Sequence, residues 1–574
     1  MNRTGEPGQL PDALRAKVEA WMAEDPDPAT RAELAALVAV GDRAELEARF
    51  AQPLRFGTAG LRAALGAGPA RMNRAVVRAT TAGLARWLLG QGPLAARGLV
   101  VGRDARHQSA RFAADTAEVA AAAGVPVHQL DEALPTPITA FAVRHLTTAA
   151  GVMITASHNP ASDNGYKVYV ADGAQVIPPA DAEIAAAAGA PRPSELPRAP
   201  IHTVEREALL AAYRAATLAL LDASGERQVR TVYTPMHGVG GAIVPELLAR
   251  CGFPPVIPVR AQLAPDPDFP TVAFPNPEEP GALDLALGTA RREGAQLVLA
   301  NDPDADRLAV AVPDRQGGWR ALSGDELGIL LAEHVLAHTS GSDRLVATTI
   351  VSSSMLSALA AEAGVRYAQT LTGFKWIARA ASTLAGSRLV FGYEEALGYA
   401  VNPSVVADKD GMSAALVVCE MAAEAVARGE GLLERLDRLA ARLGVHLTGQ
   451  SSLRLEGRDG PGQIAAVMAA WRNTPPDSLA GHAVSAVDDL AAGAGGLPPT
   501  DGVRVRLGDA ARVVLRPSGT EPKVKAYLEV VTPPPGAAGL DHARREAGEL
   551  LCKLREDVTK RCRRAALQGA TSAP

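Results

Sequence analysis

Cysteine is scarce: Cys251, Cys419, Cys552 and Cys562 are the only four in 574 residues. They are scattered, with no CxxC pair and no partnering histidine cluster, so neither a disulfide framework nor a zinc site is suggested. Inert thiols of a reducing compartment are expected instead. An excess of charge of one sign is also missing. Lys and Arg total 58 against 63 Asp and Glu, a formal net charge of -5, which gives no general attraction to nucleic acid or an anionic membrane. Any phosphate binding must therefore be local. The opening "MNRTGEPGQLPDALRAKVEAW" has no apolar core typical of a signal peptide, and no uncharged apolar run is long enough to span a bilayer. The expectation is a cytoplasmic protein without nucleic-acid or membrane partners. No fixed-period repeat is present either.

What is present is length and apolar material. A chain of 574 residues with 47% hydrophobic composition implies roughly four domains and several cores. Strand-like runs ending in polar, Gly-rich or Asp-rich loops alternate with Ala-rich helical stretches, as in βα units. "GLVVGRDAR" from Gly98, "GVMITASHNP" from Gly151, "QLVLANDPDADR" from Gln296 and "RLVFGYEEALGY" from Arg388 are examples. Such short Val/Leu/Ile runs suit strands buried on both faces of a sheet, with ligand-binding loops at their carboxyl ends. After about residue 445, "VRVRL" from Val503 and the set Val524, Ala526, Leu528, Val530 alternate at period two, which predicts antiparallel strands with one wet face. Leu540, Ala543, Ala547, Leu550, Leu554 and Val558 follow at helical spacing, predicting an amphipathic helix over that sheet. "GAPRPSELPRAP" from Gly189 and "PPTDG" from Pro498 are candidate connections, and the first 49 residues read as helices with no chemistry assigned.

The chemistry lies in the loops. In "NDPDADR", Asp302, Asp304 and Asp306 alternate and would repel one another unless a cation sat among them; oxygen-only ligands suit Mg²⁺. A solvated acidic turn is the bland alternative, but Arg307 beside a cation makes sense mainly if an anion is shared there. A phosphorylated Ser157 would supply that anion, carrying about -1.5 to -2 charges, with His158 and Lys167 of "SHNPASDNGYK" near enough in sequence to move protons. "RPSGTEPK" combines the planar fork of Arg516, the hydroxyls of Ser518 and Thr520, and the open backbone at Gly519, the parts of a phosphate cradle or of an ordinary turn. "FGYEEALGY" supplies Glu394 and Glu395, and "DKDG" follows at Asp408; such carboxylates hold sugar hydroxyls or simply favour a helix N-terminus. "LTGFKWI" and "FGTAGLR" are Gly-rich turns ending near a cation, Lys375 and Arg62.

Taken in order, these segments resemble the α-D-phosphohexomutase superfamily over nearly the whole chain. The resemblance implies an α/β fold: four domains around a central cleft, three with mixed α/β sheets and a smaller C-terminal α+β domain with an antiparallel sheet. The expected limits are 1–205 with the phosphoserine loop, 206–315 with the metal loop, 316–445 with the sugar loop and 446–574 with the phosphate loop. It further implies that Ser157 is the phosphoserine and that Asp302, Asp304 and Asp306 bind Mg²⁺ together with its phosphate. Arg62, His158, Lys167 and Arg307 match positions that stabilise or shuttle charge. Thr372, Gly373, Glu394 and Lys409 match sugar-contacting loops, and Arg516, Ser518, Gly519 and Thr520 match the holder of the non-reacting phosphate. Two departures stand out: Pro303 where many relatives have glycine, and Ala396 where many hexose mutases have serine.

The implied activity is phosphoryl transfer between the 1- and 6-positions of glucose phosphate, with mannose phosphates accepted, through a sugar bisphosphate. The expected assembly is a monomer or homodimer. A phosphopentomutase on ribose or deoxyribose phosphates is the rival within the class. A catalytically silent sugar-phosphate-binding regulator and a phosphatase are the alternatives outside it.

Overall fold

The run "AGVMI" and the segment "DNGYKVYV" become adjacent strands, and the turn between them is the serine loop. The computed structural model describes residues 10–57, 60–189, 198–223, 225–455, 460–518 and 523–570. Contacts divide the chain into two units, one of Met1–Ala311 with Asn402–Glu420 and one of Val312–Val401 with Met421–Pro574.

In the first unit, six strands lie in the order Leu61–Ala64, Asp163–Val170, Ala150–Ile154, Leu99–Arg103, Val127–Ala133, Ile201–Thr203. Leu99–Arg103 runs parallel to both of its neighbours, while Asp163–Val170 returns antiparallel and sets Lys167 opposite Met153. That register brings a lysine back beside the loop that follows Ile154. Helices Arg74–Gly90 and Ser109–Ala122 pack their apolar sides on this sheet, burying Val77, Leu84, Leu88, Phe112, Val152 and Ile154 in one cluster. Each such side chain contributes about 1.5–3 kcal/mol on burial. Asn73 starts the first of these helices by accepting from Val76 N, which satisfies one of the free amides of its first turn.

A second sheet places Leu308–Pro313, Leu297–Asn301, Thr231–Thr234 and Ile257–Pro258 side by side. Asn301 pairs with Leu308 in antiparallel register, so Asp302 to Arg307 form the hairpin loop. The opening helices Asp12–Glu24, Pro28–Val40 and Arg43–Phe50 bury Val18, Leu34 and Leu46 in a satellite core. Asp27 caps the second of them through Ala29 N, with proline in its first turn.

In the second unit, Arg366–Thr370, Arg344–Thr349 and Arg388–Glu394 are parallel, and Gly398–Ala400 closes the edge antiparallel. A five-stranded antiparallel sheet follows, in the order His446–Arg454, Lys523–Val531, Ala511–Pro517, Val503–Leu507, Ala486–Asp489. The helix Gly536–Ala570 buries Leu540, Ala543, Ala547, Leu551, Leu554 and Val558. Leu551 takes the place expected of Leu550, because steps of four, three and four from Ala547 keep the buried stripe on one face. Among the described residues, no helix is long and apolar enough to cross a membrane.

Candidate active site

Two hairpin-like loops of the first unit meet at Ser157. Its Oγ donates to Asp302 Oδ2 at 2.9 Å and lies 3.2 Å from His158 Nδ1. Ser157 adopts φ +55°, a left-handed conformation that a non-glycine residue holds only when its surroundings enforce it. The enforcement is visible. Thr155 Oγ1 accepts from Ser157 N at 2.9 Å, and Arg106 donates to the carbonyls of Ser157 and Asn159 at 2.6 Å and of Pro160 at 2.7 Å. Arg106 is in turn ion-paired with buried Asp104 at 3.3 Å. Neither was singled out from sequence, because main-chain carbonyls as partners leave no mark in a motif; the polar "GRDAR" after a strand was the available signal.

Asp302, Asp304 and Asp306 are fully buried and offer oxygens within 4.8 Å of one another. Lys167, also fully buried, donates to Asp304 Oδ2 at 2.7 Å and Asp306 Oδ2 at 2.9 Å. Thr136 Oγ1 donates to Asp304 Oδ2 at 2.7 Å, and Arg307 N donates to Asp302 Oδ1 at 3.0 Å. Lys409 Nζ comes within 3.4 Å of Asp306 Oδ2. Lys409, which the resemblance puts in a sugar-contacting loop, is thereby also ion-paired with the aspartate loop. Asp304 Oδ1 and Asp306 Oδ1 are buried without a hydrogen-bond partner among the described residues. Such orphaned acceptors are costly, and their convergence fits a hard cation with oxygen ligands.

The electrostatics agree. Burial, then repulsion by Asp304 and Asp306, pushes the Asp302 carboxyl well above its usual range. Burial acts the same way on Asp304 and Asp306, but Lys167 outweighs it, with Thr136 helping at the first and Lys409 and Arg307 at the second, and both stay below that range. Burial, Arg307 and Arg62 hold His158 well below the usual imidazole range, so it is neutral. Arg62 stands on the edge strand opposite Gly165, and its buried Nε has no hydrogen-bond partner among the described residues, which suits a donor placed for an anion. Pro303 packs where a Cβ on Gly238 would come within 2.4 Å of its Cα. That close approach needs glycine at 238, and Val239 N donates to Pro303 O at 2.8 Å.

The remaining expected residues lie in the second unit. Thr372 and Gly373 follow Arg366–Thr370, and Glu394 ends Arg388–Glu394. Both strands run parallel to Arg344–Thr349, so these loops leave the same end of one sheet. Among the described residues Thr372 Oγ1 is buried without a hydrogen-bond partner; Gly373 has φ +113°, and Glu394 is buried. Arg516 is half-buried at the end of Ala511–Pro517, where Ser518 N donates to Lys523 O at 2.8 Å and closes a hairpin. Gly519 and Thr520 fall outside the described residues.

Four family models match the chain in order. They are the phosphoglucomutase/phosphomannomutase alpha/beta/alpha domains I over 53–193, II over 211–317 and III over 323–442, and the C-terminal domain over 455–547. The chain belongs to the α-D-phosphohexomutase superfamily. A Haemophilus influenzae protein named "Probable phosphomannomutase" is 41% identical over 80% of this chain and 93% of its own length. The phosphopentomutase of Mus musculus is 35% identical over 93% of each chain. A crystal structure of Paramecium parafusin, a phosphoglucomutase in its open form, aligns with TM-score 0.66 at 19% identity, covering 89% of this chain and 96% of that one, which shows the shared fold. The chain is accordingly an enzyme, an isomerase-type phosphotransferase of carbohydrate metabolism.

Proposed function

We propose that the enzyme moves a phosphoryl group between the 1- and 6-positions of a hexose phosphate, glucose first and mannose accepted, by way of a phosphoserine at Ser157 and a sugar bisphosphate. The 2.9 Å contact between Ser157 Oγ and Asp302, inside a loop with two further converging aspartates, carries the reading. In the first half-reaction the P–O bond to Ser157 breaks and a P–O bond to the sugar hydroxyl forms. The hydroxyl proton ends on Ser157 Oγ, with neutral His158 at 3.2 Å placed to relay it. Mg²⁺, held by Asp302, Asp304, Asp306 and the serine phosphate, would neutralise charge on the transferring group. Arg62 and Arg307 orient and stabilise that group, which suits a transfer that depends mainly on positioning and charge.

Thr372, Gly373, Glu394 and Lys409 are assigned to the sugar, and Arg516, Ser518, Gly519 and Thr520 to the phosphate that does not react. The domain limits near 205, 315 and 445 belong to the same proposal. Ala396 removes a hydroxyl from the sugar loop, and this, with the phosphopentomutase relative, favours a second reading in which ribose or deoxyribose phosphate is preferred. Side-by-side kcat/KM on glucose, mannose and ribose 1-phosphates separates the two: the first reading expects glucose highest, and a dominant ribose 1-phosphate overturns it. Release of inorganic phosphate matching sugar consumption would instead identify a phosphatase.

A further inference from the structure

The second unit carries a cluster that shares no residue with those assigned above to the sugar-phosphate chemistry. His334 and His338 lie four residues apart at the end of the helix Gly324–Ala337, in "EHVLAH". That spacing puts both rings on one helix face. They stack with centroids 4.1 Å apart and planes tilted by 28°. Glu424, from the last turn of Gly411–Ala427, closes the group: one ligand atom from each of the three residues lies within 4.8 Å of the others. The pair escapes notice in the sequence because its third member is 86 positions away from His338 (424 minus 338).

We propose that His334, His338 and Glu424 form a second metal site, for a divalent transition-metal cation of the Zn²⁺, Co²⁺ or Cu²⁺ kind. It shares no residue with the aspartate cluster. The donor set chooses the ion: two imidazoles with one carboxylate favour these borderline cations over Mg²⁺, which prefers oxygen alone. Three protein ligands leave a fourth position for water, and His338 is exposed, so the position is open to solvent.

The tautomer of one ligand is already set. His338 Nδ1 lies 2.8 Å from the carbonyl oxygen of His334, and only a protonated Nδ1 makes that bond, which leaves the Nε2 lone pair for a metal. The same bond satisfies a carbonyl in the last turn of the helix. Both helices present their C-terminal turns here, the end at which a cation is favoured.

His334 is buried, 2% exposed, and fixes the position of the site, while His338 and Glu424 have room to turn. Closure is needed, since ligands on a tetrahedral Zn²⁺ with bonds of about 2.0–2.1 Å sit roughly 3.3 Å apart. Glu424 Oε2 also accepts from Arg428 Nη2 at 3.1 Å. This exposed i,i+4 pair is weak enough to yield to a metal bond, and a carboxylate has lone pairs for both partners.

The test uses the full-length enzyme dialysed against micromolar Zn²⁺ with millimolar Mg²⁺ present to hold the aspartate cluster. His338→Gln and Glu424→Gln are the variants of choice, because neither side chain is buried and the fold should survive both. The expected result is one Zn²⁺ fewer per chain in each variant, with at least a tenfold loss of affinity for that ion, and a Zn²⁺-induced rise in melting temperature seen only in the unmutated chain. An unchanged Zn²⁺ count in either variant overturns the proposal. Electron paramagnetic resonance of the Cu²⁺-loaded unmutated enzyme gives an independent reading. Coupling to two equivalent imidazole nitrogens is expected, and a spectrum of oxygen ligands alone contradicts the site.

Discussion

Two clusters of buried carboxylates in this enzyme have opposite characters. At Asp302, Asp304 and Asp306 like charges converge, two oxygens lack partners among the described residues and one carboxyl is driven well above its usual range. In the second unit, Asp325 and Glu529 are as buried but surrounded by donors. Asp325 accepts from Ser353 N, Tyr393 OH and Thr448 Oγ1 at 2.7–3.0 Å. Glu529 accepts from Ser353 Oγ, Ser354 N and Ser354 Oγ at 2.6–3.0 Å, and pairs with Arg512 at 2.8 Å. Arg512, Ser353, Ser354 and Thr448 tie the antiparallel sheet to the neighbouring parallel one, next to an apolar cluster of Ile350, Val351, Leu371, Val514 and Tyr527. The contrast separates a cluster left electrostatically unsatisfied, ready for a ligand, from one completed by its own chain. Removing a charge should cost activity in the first and stability in the second.

The largest expected effect is that of Asp302→Asn, which lowers kcat by about 10³-fold or more. The same variant should melt at a higher temperature than the unmutated enzyme in metal-free buffer, because repulsion is relieved. A loss of stability would place Asp302 with the structural carboxylates. Next comes Arg106→Lys. A lysine cannot grip several carbonyls of the serine loop with one planar fork, so kcat should fall by roughly 10²-fold with KM little changed, as steady-state kinetics would show.

Glu529→Gln belongs to the other side of the comparison. It should cost about 2–4 kcal/mol of unfolding free energy by leaving half-buried Arg512 without its counter-charge, while kcat of the folded fraction stays near normal. Burial raises the Glu529 carboxyl, but Arg512 and His446 outweigh it and hold it down to about 2. Its stabilising effect is therefore complete above the unfolded carboxyl value of 4.5 and lost as pH falls from there toward 2. Denaturant melts at pH 7 and pH 3 should show the gap between the two proteins closing in acid.

The smallest effect is expected at Glu395, where burial, then Glu394 and Asp325, push the carboxyl up to about 7. A carboxyl raised in the folded state favours folding at low pH and costs stability as pH rises from 4.5 through 7. Glu395→Gln should therefore be more stable than the unmutated enzyme at pH 8, by roughly 1–3 kcal/mol, with the difference vanishing near pH 4.5. Ser352 and Thr349 hydroxyls, which donate to Glu395 Oε2, keep an acceptor in the glutamine.

Much of the fold was legible because its signals are local. The short apolar runs became central strands, and the period-two pattern after residue 445 became the antiparallel sheet. The loops "TASHNP" and "NDPDADR" announced Ser157 and the aspartates, and the return strand that carries Lys167 begins only a few residues on. What escaped was set by long-range packing: the carbonyl cage of Arg106, the approach of Lys409 to Asp306, the Asp325 and Glu529 network, and Glu424 beside two histidines. In each case the partner is a backbone atom or a residue far along the chain, and no spacing rule connects them.

The central claim is that Ser157 carries the transferable phosphoryl group. Mass spectrometry of the enzyme after incubation with glucose 1,6-bisphosphate and Mg²⁺, with peptide mapping, tests it most directly. The account predicts one phosphoryl group, located on Ser157, removed on addition of a hexose monophosphate, and absent from a folded Ser157→Ala variant that has no mutase activity. Phosphorylation elsewhere with Ser157 unmodified, or near-normal turnover by the alanine variant, would contradict it.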